Sequence, residues 1–277
     1  YEIPKRDWSS DVCSSDLYYP SSGKKAELGT IVHKVMEGLA GLKKELQESS
    51  KRSKKLTLDD EALGKIVIEK TDLLSSTLPN DLLEKSFSYY TKNSEHSFSK
   101  NDKEECRKLV WDTLHFNNGQ FDPRNRNIIA AEPHFDIPID EDWAYYEYEI
   151  NGEKIKGQLA IKGTIDLVTQ IDENTIEAVD WKTGRRLDWA TGEEKTLSKL
   201  QSDPQLLLYN YALSKLFPSY SQTIMSIFFI KDGGPFSLCF DKSDHDKFLD
   251  MLKERFLEIK NNNIPQPISD RSEEHTS

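Results

Sequence analysis

Cysteine is scarce in this chain. Cys13, Cys106 and Cys239 stand far apart, with no short spacing between any two. Neither a disulfide framework nor a complete zinc site can be assembled from them. A reducing, cytoplasmic setting fits that usage. Long apolar runs are missing too: no stretch approaches the ~18 residues that a membrane span needs. Positive charge is in deficit, with 37 Lys and Arg against 48 Asp and Glu and a formal net charge of −11. That balance argues against a nonspecific nucleic-acid coat but leaves room for a local basic groove. One lysine-rich stretch stands out: Lys43, Lys44, Lys51, Arg52, Lys54 and Lys55. It reads as a solvated helix end and loop, with a phosphate track as the alternative. No repeat or low-complexity tract interrupts residues 57–118.

The two ends do not read as protein. Tyr1 to Leu17 back-translates onto a sequencing-library adapter with a short index across Pro4, Lys5 and Arg6. Arg271 to Ser277 back-translates onto a second adapter. We expect residues 1–17 and 271–277 to be adapter artefact and set them aside. Residues 18–270 are then the biological segment, cut from a longer gene at both sides. The ends carry Glu2, Asp7, Asp11, Asp16, Glu273 and Glu274 against Lys5, Arg6 and Arg271, so the remainder has a charge of −8 rather than −11. Cys13 leaves with them. What remains is long enough to bury a sizeable core as one domain, or as one domain with an insert.

Periodicity divides this segment. Leu28, Ile31, Val35, Leu39, Leu42 and Leu46 recur at helical spacing and predict a helix over 25–47. Residues 57–118 read as helical and locally irregular, with breaks at Pro79-Asn80 and around Asn93. After Pro123 the period shortens. Strands are expected over 128–132, 135–139 and around Tyr146, Tyr148 and Ile150, with Asn151-Gly152 as a hairpin turn. A further strand is expected over 154–168, turning at Asp172-Glu173-Asn174 into another over 175–182. Pro204 opens a helix. Strands follow over 223–230 and 236–240, and Ser243 caps a last helix with Phe248, Leu252, Phe256 and Ile259 on one face. The sum is an α/β arrangement, a mixed central sheet flanked by helices, with a helical insert at about 57–118.

Fourteen positions separate Asp166 from Asp180, and the second opens the tripeptide Asp180-Trp181-Lys182. Both lie in aliphatic surroundings, on strands expected to be neighbours. Side chains alternate along a strand, so Asp180 and Lys182 share a face while Trp181 points to the other and packs. Two carboxylates and the Trp181 backbone carbonyl offer three oxygens to a hard cation such as Mg²⁺, which keeps several waters. The Lys182 charge beside such a site stabilises a developing phosphorane. Metal-assisted phosphodiester hydrolysis is the reaction class these residues suit. A lone D-x-K is weak on its own; the apolar strand around it and the partner Asp166 strengthen it. His33 lies about 200° around the helix from both Ile31 and Val35, off the apolar stripe. By itself it reads as an exposed structural histidine rather than a ligand.

Gly163-Thr164-Ile165-Asp166-Leu167-Val168 followed by Val179-Asp180-Trp181-Lys182-Thr183-Gly184 resembles the PD-(D/E)XK nuclease superfamily, specifically its RecB-like exonuclease branch. Three further stretches share the likeness. Gly29-Thr30-Ile31-Val32-His33 resembles the branch's N-terminal helix motif, which implies that His33 is a metal ligand. Gln205-Leu206-Leu207-Leu208-Tyr209 resembles its Q-x-x-x-Y helix, which implies a substrate-facing pair one turn apart. Glu132 resembles the acidic residue before the first strand pair. The likeness covers 26–47 and 128–260 and implies a restriction-endonuclease-like core. It further implies a deoxyribonuclease dependent on Mg²⁺ or Mn²⁺, exonucleolytic, acting in recombination, repair or phage DNA processing. Asp166, Asp180, Lys182 and Glu132 would be its catalytic residues. DNA is the implied partner, with a helicase or recombination protein beside it and no membrane.

The alternative is a silent nuclease-fold module that binds DNA within a larger helicase–nuclease. The intact Asp166, Asp180 and Lys182 favour the enzyme. An ordinary restriction-type endonuclease is disfavoured by the histidine and glutamine–tyrosine helices. Several RecB-like relatives also hold a [4Fe–4S] cluster with one cysteine before the histidine helix and three after the last helix. Ile264-Pro265-Gln266-Pro267 resembles the lead-in to that C-terminal group. The resemblance therefore allows a cluster in the full-length protein, not in this fragment, since Cys106 and Cys239 lie in the wrong places and four thiolates are the usual requirement.

Overall fold

The structure, a computed structural model, describes residues 23–261 apart from 51, 151, 188–191 and 242. The expected adapter ends and the segments that would carry cluster cysteines lie outside the described residues, as does Asn151.

Helix α1 (Lys24–Glu48) matches its expected bounds, and Leu28, Ile31, Val35, Leu39 and Leu42 are buried along one stripe. The segment expected to be helical over 57–118 instead opens with a β-hairpin, β1 (Lys55–Asp60) and β2 (Gly64–Glu69). The reason is a period of two. Leu56 faces Ile68 and Leu58 faces Ile66 across the pair, so all four share one surface, packed in the same core as α1. Gly64, at φ +65°, takes the left-handed turn residue.

The rest of the segment is helical: α2 (Leu78–Asn93) and α3 (Lys100–His115). Pro79 sits in the first turn of α2, where its missing N–H costs nothing, so it starts a helix rather than breaking one. Ser99 and Asp102 close a capping box at the head of α3.

The β-rich half follows: β3 (Ile128–Ala131), β4 (His134–Pro138), the hairpin β5 (Tyr145–Ile150) and β6 (Glu153–Gln158), β7 (Ala160–Thr164), β8 (Leu167–Gln170) and β9 (Thr175–Lys182). The single strand expected over 154–168 is three strands. β6 pairs with β5, β7 with β4, and β8 with β3 and β9, so the chain changes partner twice. The second change falls at Ile165-Asp166. There Ile165 N donates to Pro133 O (3.2 Å) and Glu132 N donates to Asp166 O (3.0 Å).

Next come α4 (Leu197–Gln201), α5 (Pro204–Leu216), β10 (Gln222–Phe229), β11 (Gly234–Phe240) and α6 (Ser243–Asn261). Ser243, expected as the cap of α6, is its first residue; Asp241 Oδ1 accepts its N–H at 2.7 Å.

The central sheet has the order β11-β10-β9-β8-β3. β9 and β10 run parallel through the α4–α5 crossover, and the remaining pairs are antiparallel, so the sheet is mixed as expected. Alternation along β9 splits the core in two. Val179 and Trp181 pack with α1, α2 and α3 on one side; Ile176 and Ala178 pack with α5 and α6 on the other. Burying each such aliphatic side chain contributes about 1.5–3 kcal/mol. These two layers hold the strand that carries the D-x-K tripeptide. Among the described residues no helix is long and apolar enough to cross a membrane.

Candidate active site

The C-terminal end of β9 gathers most of the residues singled out in the sequence. Leu167 pairs with Val179, so Asp166, one residue before β8, lies beside Asp180. Asp180 and Lys182 project to one face, with Lys182 Nζ 3.1 Å from Asp180 Oδ2. Trp181 points the other way and is 1% exposed in the core with α1, the packing role expected of it. Its backbone N–H donates to Asp166 Oδ2 at 2.9 Å. One carboxylate is thereby locked to the strand that carries the other.

His33 reaches the site from α1. Its Nδ1 lies 3.4 Å from Asp166 Oδ1, and its ring meets Trp181 edge-on at 6.5 Å. Burial opposes a charged imidazole there, yet the Asp166 charge and hydrogen bond, joined by the charge of Asp180, win, so its pKa is raised. Desolvation likewise works against the Asp166 carboxylate. The charge and hydrogen bond of His33, the Lys182 charge and the Trp181 N–H outweigh it, and its pKa is lowered.

α1 can come this close because of Gly29. A Cβ there would stand 2.7 Å from Thr183 Oγ1, just past Lys182. This close approach left no signal in the sequence beyond the glycine itself.

On the other flank Asp203 caps α5, accepting from Gln205 N at 3.0 Å. One turn on, Gln205 Nε2 donates to Tyr209 Oη at 2.9 Å. Gln205 is half-buried and Tyr209 is buried. Burial first, and the Asp180 charge second, push the Tyr209 phenol up, so it stays protonated.

Glu132 sits apart from this group in one respect. Its backbone N–H joins Asp166, but its carboxylate lies 3.8 Å from Lys34 Nζ. Lys34 also pairs with Glu37 and, at 3.3 Å, with Asp60 at the end of β1. Burial and a hydrogen bond with Glu132 hold the Glu37 carboxyl up to about 7. Glu132 adopts φ +47°, a left-handed conformation uncommon for a residue with a side chain. Sequence reasoning missed Lys34, Glu37 and Asp60; Lys34 and Glu37 are helix neighbours three residues apart, and Asp60 joins them only through tertiary packing.

The donor set suits a hard divalent cation. Two poorly exposed carboxylates, an imidazole and the Trp181 carbonyl stand at one strand end. Among the described residues no three His, Cys, Asp or Glu side chains stand together as a group that could by itself hold a metal ion. An open site completed by waters and substrate oxygens is the arrangement Mg²⁺ favours.

No curated protein matches the chain. Among solved structures, it is similar to a putative exonuclease from Eubacterium rectale. The alignment has 13% identity, covers 94% of this chain and 97% of that one, and gives a TM-score of 0.33. A second similar structure, SSO0001, has 11% identity, coverage of 88% and 90%, and a TM-score of 0.28. The family match is broader in weight: the PD-(D/E)XK nuclease superfamily matches over residues 19–270. By that match, over most of its length, the chain belongs to the PD-(D/E)XK nuclease superfamily.

Proposed function

We propose that this protein is a divalent-metal-dependent deoxyribonuclease that degrades DNA from its ends. The observation that carries the reading is the Asp180–Lys182 pair, 3.1 Å apart, beside an Asp166 pinned by Trp181 N–H and His33. Asp166, Asp180 and the Trp181 carbonyl, with His33 at the rim, would hold Mg²⁺ or Mn²⁺. When bound, such a cation supplies Lewis-acid stabilisation of the phosphoryl group.

The side chains do the rest. Lys182 Nζ, held by Asp180, places a fixed positive charge where the phosphoryl oxygens gain negative charge, an interaction stronger in the transition state than in the ground state. The Asp166–His33 contact fixes both donors before substrate arrives. Gln205, oriented by the buried Tyr209 hydroxyl, offers a polar contact to the DNA backbone. The exonucleolytic mode, and a place in recombination, repair or phage DNA processing, follow from the likeness of the His33 and Gln205–Tyr209 helices to the RecB-like branch.

The test compares end-labelled linear DNA with covalently closed circles, in Mg²⁺, in Mn²⁺ and in EDTA. The reading expects metal-dependent release of label from linear DNA, none in EDTA, and intact circles. Cleavage that persists in EDTA would sink the metal role, and equal attack on circles would sink the end-directed mode.

A further inference from the structure

The C-terminal end of β9 is poor in free positive charge. Asp166, Asp180 and Glu132 stand there, on a chain of formal charge −11. Most cations around this strand end are already committed to carboxylates. Lys182 lies 3.1 Å from Asp180, Lys195 3.0 Å from Asp203, and Lys199 2.8 Å from Glu193. Lys34 is shared among Glu37, Asp60 and Glu132. Arg186 pairs with Glu194 at 2.8 Å. Arg185 differs. It is exposed, and among the described residues its guanidinium has no partner.

The backbone at Arg185 is held although its side chain is free. Arg186, the next residue, donates its N–H to Asp232 in the turn after β10. Its guanidinium lies 4.7 Å over the Phe236 ring and donates to Lys195 O at 3.3 Å. Its own carbonyl accepts from Lys195 N at 3.1 Å, and Leu187 N closes a tight turn onto Arg185 O at 2.9 Å. On the other side Lys182 ends β9, paired with Phe229 of β10. Arg185 is thus an unneutralised cation on a fixed turn, three residues past Lys182. Three residues span at most about 11 Å. Successive phosphates of one DNA strand advance by about 3.4 Å along the axis, so a phosphate at Lys182 leaves a near neighbour within reach of Arg185. The way between them is open: a Cβ on Gly184 would meet nothing within 4 Å. A guanidinium also suits the task, since its planar fork takes a phosphate through two parallel hydrogen bonds.

We propose that Arg185 binds a backbone phosphate of the DNA one or two positions from the phosphate that Lys182 faces. It holds the strand in register and leaves bond breaking to Lys182 and the aspartates. This rests on the nuclease reading for the identity of the polymer, but it assigns a residue that reading does not use.

Fluorescence anisotropy with a labelled linear duplex, in EDTA so that no cleavage intervenes, tests it. Arg185→Ala should weaken binding about 10- to 100-fold, and Arg185→Lys less, because the charge survives without the fork. The slope of log affinity against log salt should fall by about one in Arg185→Ala. In Mg²⁺ the same variant should raise KM by a similar factor and keep kcat, with an unchanged Tm. Lys253→Gln, which removes an exposed charge from α6, is the control and should alter affinity by less than about twofold. A single neutral methylphosphonate, moved along the strand, locates the contact. One or two positions from the cleaved bond it should weaken binding by the wild type but add nothing to the loss in Arg185→Ala. Wild-type affinity in Arg185→Ala would overturn the proposal. So would equal losses in Lys253→Gln, methylphosphonate penalties that add to the Arg185→Ala loss at every position, or no DNA binding by the wild type. Arg185-dependent binding without cleavage in any protein would uphold the contact and strike only the nuclease reading.

Discussion

At the scale of single residues the account turns on Lys182. Its ammonium lies 3.1 Å from a carboxylate that is itself buried, so its position is fixed by Asp180 rather than by solvent. Losing one such fixed charge typically costs ~10²–10³ in rate. We expect Lys182→Ala to lower kcat by that factor with DNA affinity and far-UV circular dichroism near wild type. A variant that cleaves at the wild-type rate would make Lys182 a bystander. Asp166, Asp180 and Lys182 were readable because strand alternation and an aliphatic frame are local properties. His33 was readable only in part. Its position off the apolar stripe showed that it left the core, but its 3.4 Å contact with Asp166 joins residues far apart in sequence. Lys34 and Glu37 are helix neighbours at i,i+3, but their meeting with Asp60 and Glu132 carried no sequence signal, because those acids come from other elements and reach Lys34 only after folding.

At the scale of elements, the placement of α1 decides whether the site assembles. Gly29 lets the helix approach Thr183, whose Oγ1 would meet an added Cβ at 2.7 Å. Threonine is stiff at χ1, so relief must come from the helix. In an unobstructed helix, Gly→Ala stabilises by about 0.5–1 kcal/mol. Here we expect Gly29→Ala to lower kcat by about 10²-fold through misplacement of His33, and Gly29→Ala/Thr183→Ala to recover most of it. Equal activity in all three proteins would show that the close approach is incidental.

The same helix carries a pH-dependent contact. The Glu37 carboxyl is held up to about 7 against an ordinary 4.5, so the folded state binds the proton more tightly than the unfolded state. Stability from this group is therefore full below pH 4.5 and declines as pH rises through 7. Glu37→Gln should flatten that decline in the urea midpoint measured across pH 4.5 to 8. An unchanged slope would count against it.

The element boundaries also show where sequence reading stops. The β1–β2 hairpin is hidden in the sequence because its alternating Leu56, Leu58, Ile66 and Ile68 sit between helical stretches. The break at Ile165-Asp166 was invisible because the apolar pattern runs on while the pairing partner changes.

At the scale of the whole molecule, the mixed sheet and its two helical layers place one strand end where α1, β8, β9 and α5 all supply polar groups. That strand end is the center of the account, and the fold is the superfamily's. The most direct measurement is a crystal soaked in Mn²⁺ at a concentration that supports cleavage, followed by anomalous diffraction. The account predicts a manganese peak within bonding distance of both Asp166 and Asp180 carboxylates, with His33 or the Trp181 carbonyl beside it, and its loss in Asp180→Asn. A manganese peak bound elsewhere, with none between the two aspartates, would contradict the account.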